Sequence, residues 1–231
     1  MKRIDITSFN VTIGEILSGK KTDTYLRPIS LSFDDTGKRH GICVYTFESV
    51  MISATFVHDS PIGPATFIYD AIKKREECEY VNGVLHGHMY VYSYDEIEKI
   101  YTFDHGVVTN IAIFSGNRKE EFGVDANGLR HGIFVITEND TILERITYKH
   151  GCLHGLCTIF DKNGNKKDHA FFYKDKIMDV DCESLTEKDM MYIEISGRAP
   201  AHCAKRINTT SSLAFSIRLL ESAVFKIYGL T

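Results

Sequence analysis

Apolar and polar positions alternate through much of this chain, and glycine interrupts the alternation at a steady interval. A short motif, Gly-x-x-His-Gly, recurs at Gly37–Gly41, Gly83–Gly87, Gly128–Gly132 and Gly151–Gly155, with His40, His86, His131 and His154 in its fourth position. Two worn copies fill the gaps. Asp59–Gly63 keeps the second glycine, and Gly106–Asn110 keeps the first, with asparagine standing where a left-handed backbone is next best tolerated. The second positions of the six copies are 41, 63, 87, 110, 132 and 155, so the steps are 22, 24, 23, 22 and 23 residues. A period this regular is the signature of a repeat architecture.

Each second position is followed by a segment that reads as strand. Two residues on stand Cys43, Ala65, Met89, Ala112, Phe134 and Cys157, and four residues on stand Tyr45, Phe67, Val91, Phe114, Ile136 and Ile159. All twelve are apolar and share one face under period-two alternation. A second strand closes each unit, and its end carries an aromatic three residues before the first position: Phe56, Tyr80, Phe103 and Tyr148, with Asp125 as the exception. Asn139-Asp140 and Asn163-Gly164 read as hairpin turns between the two strands. A lone hairpin is marginal in water, so the units must stack to bury the apolar face. The predicted fold is mainly β: an elongated, single-layer, twisted sheet, a solenoid of hairpins spanning residues 33–180.

The rhythm changes at the C-terminus. Ser184-Leu185-Thr186-Glu187 fits a capping box that opens a helix to about Ile195, with Gly197 and Pro200 ending it. A second helix, to about Tyr228, carries Leu213, Ile217, Leu220 and Val224 along one face. Residues 181–231 are therefore expected to form a helical cap on one end of the sheet, with a dimer interface as the alternative use of that stripe. Residues 1–32 form an N-terminal segment in which Gly14 and Gly19 fit a degenerate repeat.

The pattern Tyr-x-x-Gly-x-x-His-Gly, clearest at Tyr80–Gly87 and Tyr148–Gly155, resembles MORN repeats in their shorter variant form. The resemblance runs from about Phe33 to Tyr173, with Asp59 and Asn110 departing from it. It implies a hairpin sheet with a groove along one face, and scaffolding, dimerisation or attachment to protein or lipid headgroups. It implies no catalytic residues.

Composition narrows the remaining functions. Over 231 residues, 43% are hydrophobic and the net charge is −4, which suits a folded chain and gives no general attraction to nucleic acid. Only Arg198, Lys205, Arg206 and Arg218 make a local basic stretch, set against −8 for the chain outside residues 197–231. The six cysteines carry no CxxC spacing and, with no export signal, are expected as reduced thiols in a cytoplasmic protein. Gly14–Lys21 matches a phosphate-binding loop except at Lys21, where Mg²⁺ needs a hydroxyl. The carboxylate pairs Glu76-Glu77 and Glu120-Glu121 read as solvated surface. The motif histidines are expected to stack on neighbouring aromatics and bond to turn backbone. Metal is disfavoured because adjacent repeats lie about 10 Å apart, with pH sensing and metal as the less favoured uses. Tyr90, Tyr92 and Tyr94 alternate with His88 on one face and are the candidate partner surface, together with the 213–224 stripe. The expected function is a non-enzymatic scaffold without cofactor or metal that binds a protein, a second copy of itself included. The alternative is a peripheral membrane module reading acidic phospholipid headgroups.

Overall fold

The structure, a computed structural model, describes residues 26–204. The Gly14–Lys21 stretch, the basic residues Lys205, Arg206 and Arg218, and the predicted second helix with Leu213, Ile217, Leu220 and Val224 lie outside the described residues.

The fold is mainly β, and the chain divides into two compact units at Ser115/Gly116, inside the stretch the sequence reads as one array. In the first unit the strands are β1 (Leu26–Ser30), β2 (Gly41–Phe47), β3 (Val50–Val57), β4 (Ser60–Tyr69), β5 (Lys74–Val81), β6 (Val84–Leu85), β7 (Gly87–Ser93), β8 (Glu96–Asp104) and β9 (Val107–Ser115). They form an open antiparallel sheet in chain order, with two-residue β6 pairing only with β5. The second unit holds β10 (Arg118–Val124), β11 (Arg130–Glu138), β12 (Thr141–Lys149), β13 (Cys152–Leu153), β14 (Gly155–Phe160), β15 (Lys166–Tyr173), β16 (Lys176–Met178) and helix α1 (Glu187–Ser196). Its sheet is likewise antiparallel and in order, with β13 paired to β12.

Alternation decides which side chains go inside. Cys43, Ala65, Met89, Ala112, Phe134 and Cys157 are buried, as are Tyr45, Phe67, Val91 and Ile136, while Phe114 and Ile159 are half-buried. The aromatics at the strand ends, Phe56, Tyr80, Phe103 and Tyr148, are buried as well. Register explains the second glycine of the motif. Gly41 faces Phe56, Gly63 faces Tyr80, Gly87 faces Phe103, Gly132 faces Tyr148 and Gly155 faces Phe172. All five glycines have a left-handed backbone, φ 77–99°, and each ends up paired across the ladder with a buried aromatic on the next strand. The exception is instructive: Asn110 lies in β9 opposite Thr102, without a left-handed backbone, so asparagine there is a strand residue and not a glycine substitute.

The same alternation overturns the surface reading of two carboxylates. Glu76 and Glu120 fall on the inner face beside the apolar residues, at 0% and 9% exposure, while Glu77 and Glu121 are half-buried. Tyr69 Oη donates to Glu76 Oε2 at 3.1 Å, and burial with the nearby carboxylate pushes the Tyr69 hydroxyl well above its ordinary value. Tyr69→Phe is expected to cost about 1.5–3 kcal/mol, the range for a hydrogen bond to a charged group; urea unfolding with an unchanged midpoint would refute this.

The hairpin at 160–166 forms, but not through a two-residue Asn163-Gly164 turn. Asp161 closes a five-residue loop, its Oδ1 accepting from the backbone N–H of Asn163 and Asn165 at 2.9 Å each. Asn139-Asp140 is a two-residue turn with both residues left-handed, as expected.

Helix α1 begins two residues later than the sequence suggests. Thr186 is the cap: its hydroxyl accepts from the Asp189 N–H, and Asp189 Oδ2 accepts from the Thr186 N–H at 3.0 Å. Leu185 packs against the cluster of Phe171, Val180 and Ile193, so the core takes the residue before the cap and fixes where the helix starts. Gly197 ends the helix with φ 65°. Glu194 ties α1 to the sheet through Lys149 Nζ and through His154 Nε2 at 2.5 Å. Lys149 and, after it, His154 hold the Glu194 carboxyl below its ordinary 4.5. A lowered carboxyl stabilises above its unfolded value and loses that contribution as pH falls through the folded one. Glu194→Gln is therefore expected to melt below wild type at about pH 6 and together with it at about pH 3; equal melting at both would show the contact contributes nothing.

Candidate functional site

The motif and the turn before it form one recurring edge structure. His58-Asp59, Asn82-Gly83, His105-Gly106, His150-Gly151 and Lys174-Asp175 are two-residue turns in which both residues are left-handed, with φ between 48° and 87°. That is the primed turn favoured in hairpins. Asp59 thus does the work of the missing glycine. Gly37, Gly128 and Gly164 instead close loops opened by an aspartate. Asp34, Asp125 and Asp161 each accept two backbone N–H bonds on Oδ1, at 2.8–3.1 Å. These bonds favour the charged carboxylate. The Thr36 hydroxyl is the largest influence lowering Asp34, and the His150 ring is the largest lowering Asp125. Asp125 therefore replaces the expected aromatic because its position opens a loop.

Consecutive edge structures are bonded to one another. The second turn residue donates its N–H to the residue before the motif histidine one repeat back: Asp59 to Arg39, Gly106 to Leu85, Gly151 to Arg130 and Asp175 to Leu153, at 2.7–2.9 Å. The donor to that register from Gly83 reaches Pro61 at 3.1 Å. The residue before the histidine also seals the core. Leu85 and Leu153 are buried, and the Arg39 guanidinium lies 4.4 Å from the Phe56 ring centre. Arg130 lies over Phe122 and Phe134 at 5.0 Å and over Tyr148 at 5.5 Å.

The motif histidines divide into two environments. His154 follows the expectation of stacking on an aromatic, with its ring centre 5.2 Å from Tyr173. The other three meet histidines instead. His40 faces His58 at 5.3 Å, and His86–His105 and His131–His150 are each at 4.8 Å. The backbone N–H of His105 and His150 points at Nδ1 of His86 and His131, at 3.4 and 3.5 Å. Each pair has a carboxylate beside it: His58 Nδ1 to Asp34 Oδ2 at 2.6 Å, His105 Nδ1 to Asp104 Oδ1 at 2.6 Å, and His150 Nδ1 to Asp125 Oδ2 at 2.7 Å. The separation of about 10 Å between motif histidines of successive repeats is thus not the relevant distance. The second histidine comes from the turn, which reaches back to the preceding motif. In the sequence the only sign of it is a histidine before the first motif position, at 58, 105 and 150.

The tyrosine surface is only partly as read. Tyr90 and Tyr92 share a face of β7 with His88, with ring centres 6.4 and 6.0 Å apart in succession from Tyr92 to Tyr90 to His88. Tyr94 leaves the strand in a turn with φ 51° and is 77% exposed. Tyr92 is held by Arg75, whose Cζ lies 4.5 Å from its ring centre, and by its own bond to Glu77 at 3.3 Å. Tyr92 and Tyr94 line a cavity of about 380 Å³ with Ile68, Lys73 and Arg75.

No helix among the described residues is long and apolar enough to cross a membrane. No protein-family model and no curated protein matches the chain.

Proposed function

We propose that the chain is a non-enzymatic, cytoplasmic scaffold of MORN-like hairpin repeats stacked as a solenoid, and that it binds a protein partner, a second copy of itself among the candidates. The observation that supports this reading is the groove bordered by Tyr92 and Tyr94. Tyrosines present large, rigid contact area with one polar end, which suits a protein interface. Of the three cations at the groove, Lys74 is paired with Glu98 at 2.7 Å and Arg75 with Glu77 at 3.2 Å, and Asp70 and Asp95 line the groove beside Lys73, which favours a protein over an anionic lipid surface.

Tyr94→Asn tests the groove, because asparagine keeps the left-handed turn and removes the ring. A partner captured by the immobilised chain, or self-association in light scattering, is expected to weaken at least about ten-fold, equivalent to about 1.4 kcal/mol. A partner retained unchanged by Tyr94→Asn removes the groove from the interface. Sedimentation with vesicles rich in acidic phospholipid, without protein capture, would favour the lipid reading instead.

A further inference from the structure

Three times among the described residues, an aspartate and two histidines converge at the edge where one hairpin meets the next. The groups are Asp34, His40 and His58; His86, Asp104 and His105; and Asp125, His131 and His150, with one ligand-type atom from each residue lying within 4.8 Å of the others. We propose that these are three binding sites for a zinc-class divalent transition ion, each held by two imidazole nitrogens and one carboxylate oxygen.

The donor set is the first argument. Two imidazoles and a carboxylate are borderline ligands that suit zinc, with the remaining tetrahedral position left to water or to a group from a partner. Bonds of 2.0–2.2 Å to a tetrahedral ion bring ligand atoms to about 3.3 Å from one another. The atoms here need to close by at most about 1.5 Å, and small rotations of the exposed rings of His40, His58, His105, His131 and His150 supply that. The imidazole Nδ1 and the aspartate oxygen are already 2.6–2.7 Å apart in all three groups. An ion between these two atoms would replace the hydrogen bond that joins them, with the proton of the neutral imidazole moving from Nδ1 to Nε2.

Preorganisation is the second argument. In two groups the aspartate is fixed before any ion arrives. Asp34 Oδ1 accepts from the Thr36 and Lys38 backbone, and Asp125 Oδ1 accepts from the Asn127 and Leu129 backbone, which leaves Oδ2 of each turned to the histidines. Hydrogen bonds that orient a ligating carboxylate raise metal affinity. Asp104 has no such loop and is 65% exposed, so the His86 site is expected to bind most weakly.

The turn chemistry is the third argument. Histidines 58, 105 and 150 occupy the first position of a primed turn, at φ 49°, 48° and 48°. Asn-Gly is the favoured pair there, and this chain uses it at Asn82-Gly83. Histidine in that place is a poorer turn former, and its imidazole is what the substitution adds. Where the turn is Lys174-Asp175, the motif residue His154 pairs with Glu194 and no cluster forms. An ion in a cluster would pin each turn to the motif one repeat behind it, along the line of the backbone bonds that already join them.

The test uses the full chain stripped with a chelator, zinc itself, and the substitutions His58→Asn, His105→Asn and His150→Asn. Asparagine keeps the left-handed turn, so the fold is retained, and circular dichroism checks it. Equilibrium dialysis with metal analysis is expected to show three more zinc ions on the wild type than on the triple variant, one lost with each single substitution. Zinc should raise the melting temperature of the wild type more than that of the triple variant. The Asp189, His202 and Cys203 group is common to both chains and cancels in the difference. A wild type that binds no zinc, or a triple variant that binds as much as wild type, overturns the proposal. A single variant that loses no ion removes its own cluster from the set.

Discussion

Phe134→Ala is expected to destabilise the chain by about 3–5 kcal/mol, the range for deleting a fully buried aromatic ring. Phe134 is 2% exposed. Its ring centre lies 5.7 Å from that of Phe122 on β10 and 6.2 Å, edge-on, from that of Tyr148 on β12. The Arg130 guanidinium closes this group from above. The strand neighbours on either side are held by backbone ladders and cannot collapse into the space. The cost therefore includes both lost burial and a cavity. Urea unfolding measures it, and a loss below about 1 kcal/mol would mean the ring is not part of a packed core. Stability in a repeat chain is local, so β10, β11 and β12 should lose amide-exchange protection first.

Gly155→Ala is expected to be clearly more damaging than Gly132→Ala. Both residues are left-handed, with φ 99° and 81°, so any side chain costs about 1–2 kcal/mol in backbone strain. At Gly132 a Cβ meets nothing within 4 Å, and strain is the whole effect. At Gly155 it would lie 3.3 Å from Thr147 Cγ2 and 3.4 Å from Thr147 Cβ. Thr147 cannot simply turn away, because its hydroxyl donates to the Leu156 carbonyl at 2.7 Å. Losing that bond adds about 0.5–1.5 kcal/mol. Thermal melts of the two variants decide the matter. Equal melting temperatures would show that Thr147 yields without cost, and wild-type melting of both would show that the glycines are not required by backbone conformation.

Much of the strand content was open to reading from the sequence. Period-two alternation follows from strand geometry itself, so Met89, Phe134 and Cys157 could be placed on the buried face without coordinates. The same rule places Glu76 and Glu120 there too, but polarity suggested surface. A carboxylate enters the core only when a partner such as Tyr69 is close in space, and that partner sits on another strand. Composition could not supply it.

The candidate metal edge shows where sequence reasoning stopped. The recurrence of His40, His86 and His131 was plain, as a repeat period is a one-dimensional property. Their meeting with His58, His105 and His150 depends on how far the next hairpin's turn reaches back, which the backbone bonds from Asp59 to Arg39 and from Gly151 to Arg130 set. Helix α1 gives the same lesson on a smaller scale. Two residues with capping side chains, Ser184 and Thr186, were available, and the packing of half-buried Leu185 against the Phe171, Val180 and Ile193 cluster chose between them. The sequence by itself determined the period, the apolar strand faces and the left-handed second glycines of the motif, because each depends on local backbone sterics and side-chain alternation. Only the tertiary structure decided which polar groups are buried, where the helix starts and which histidines meet, because those depend on contacts between residues distant along the chain.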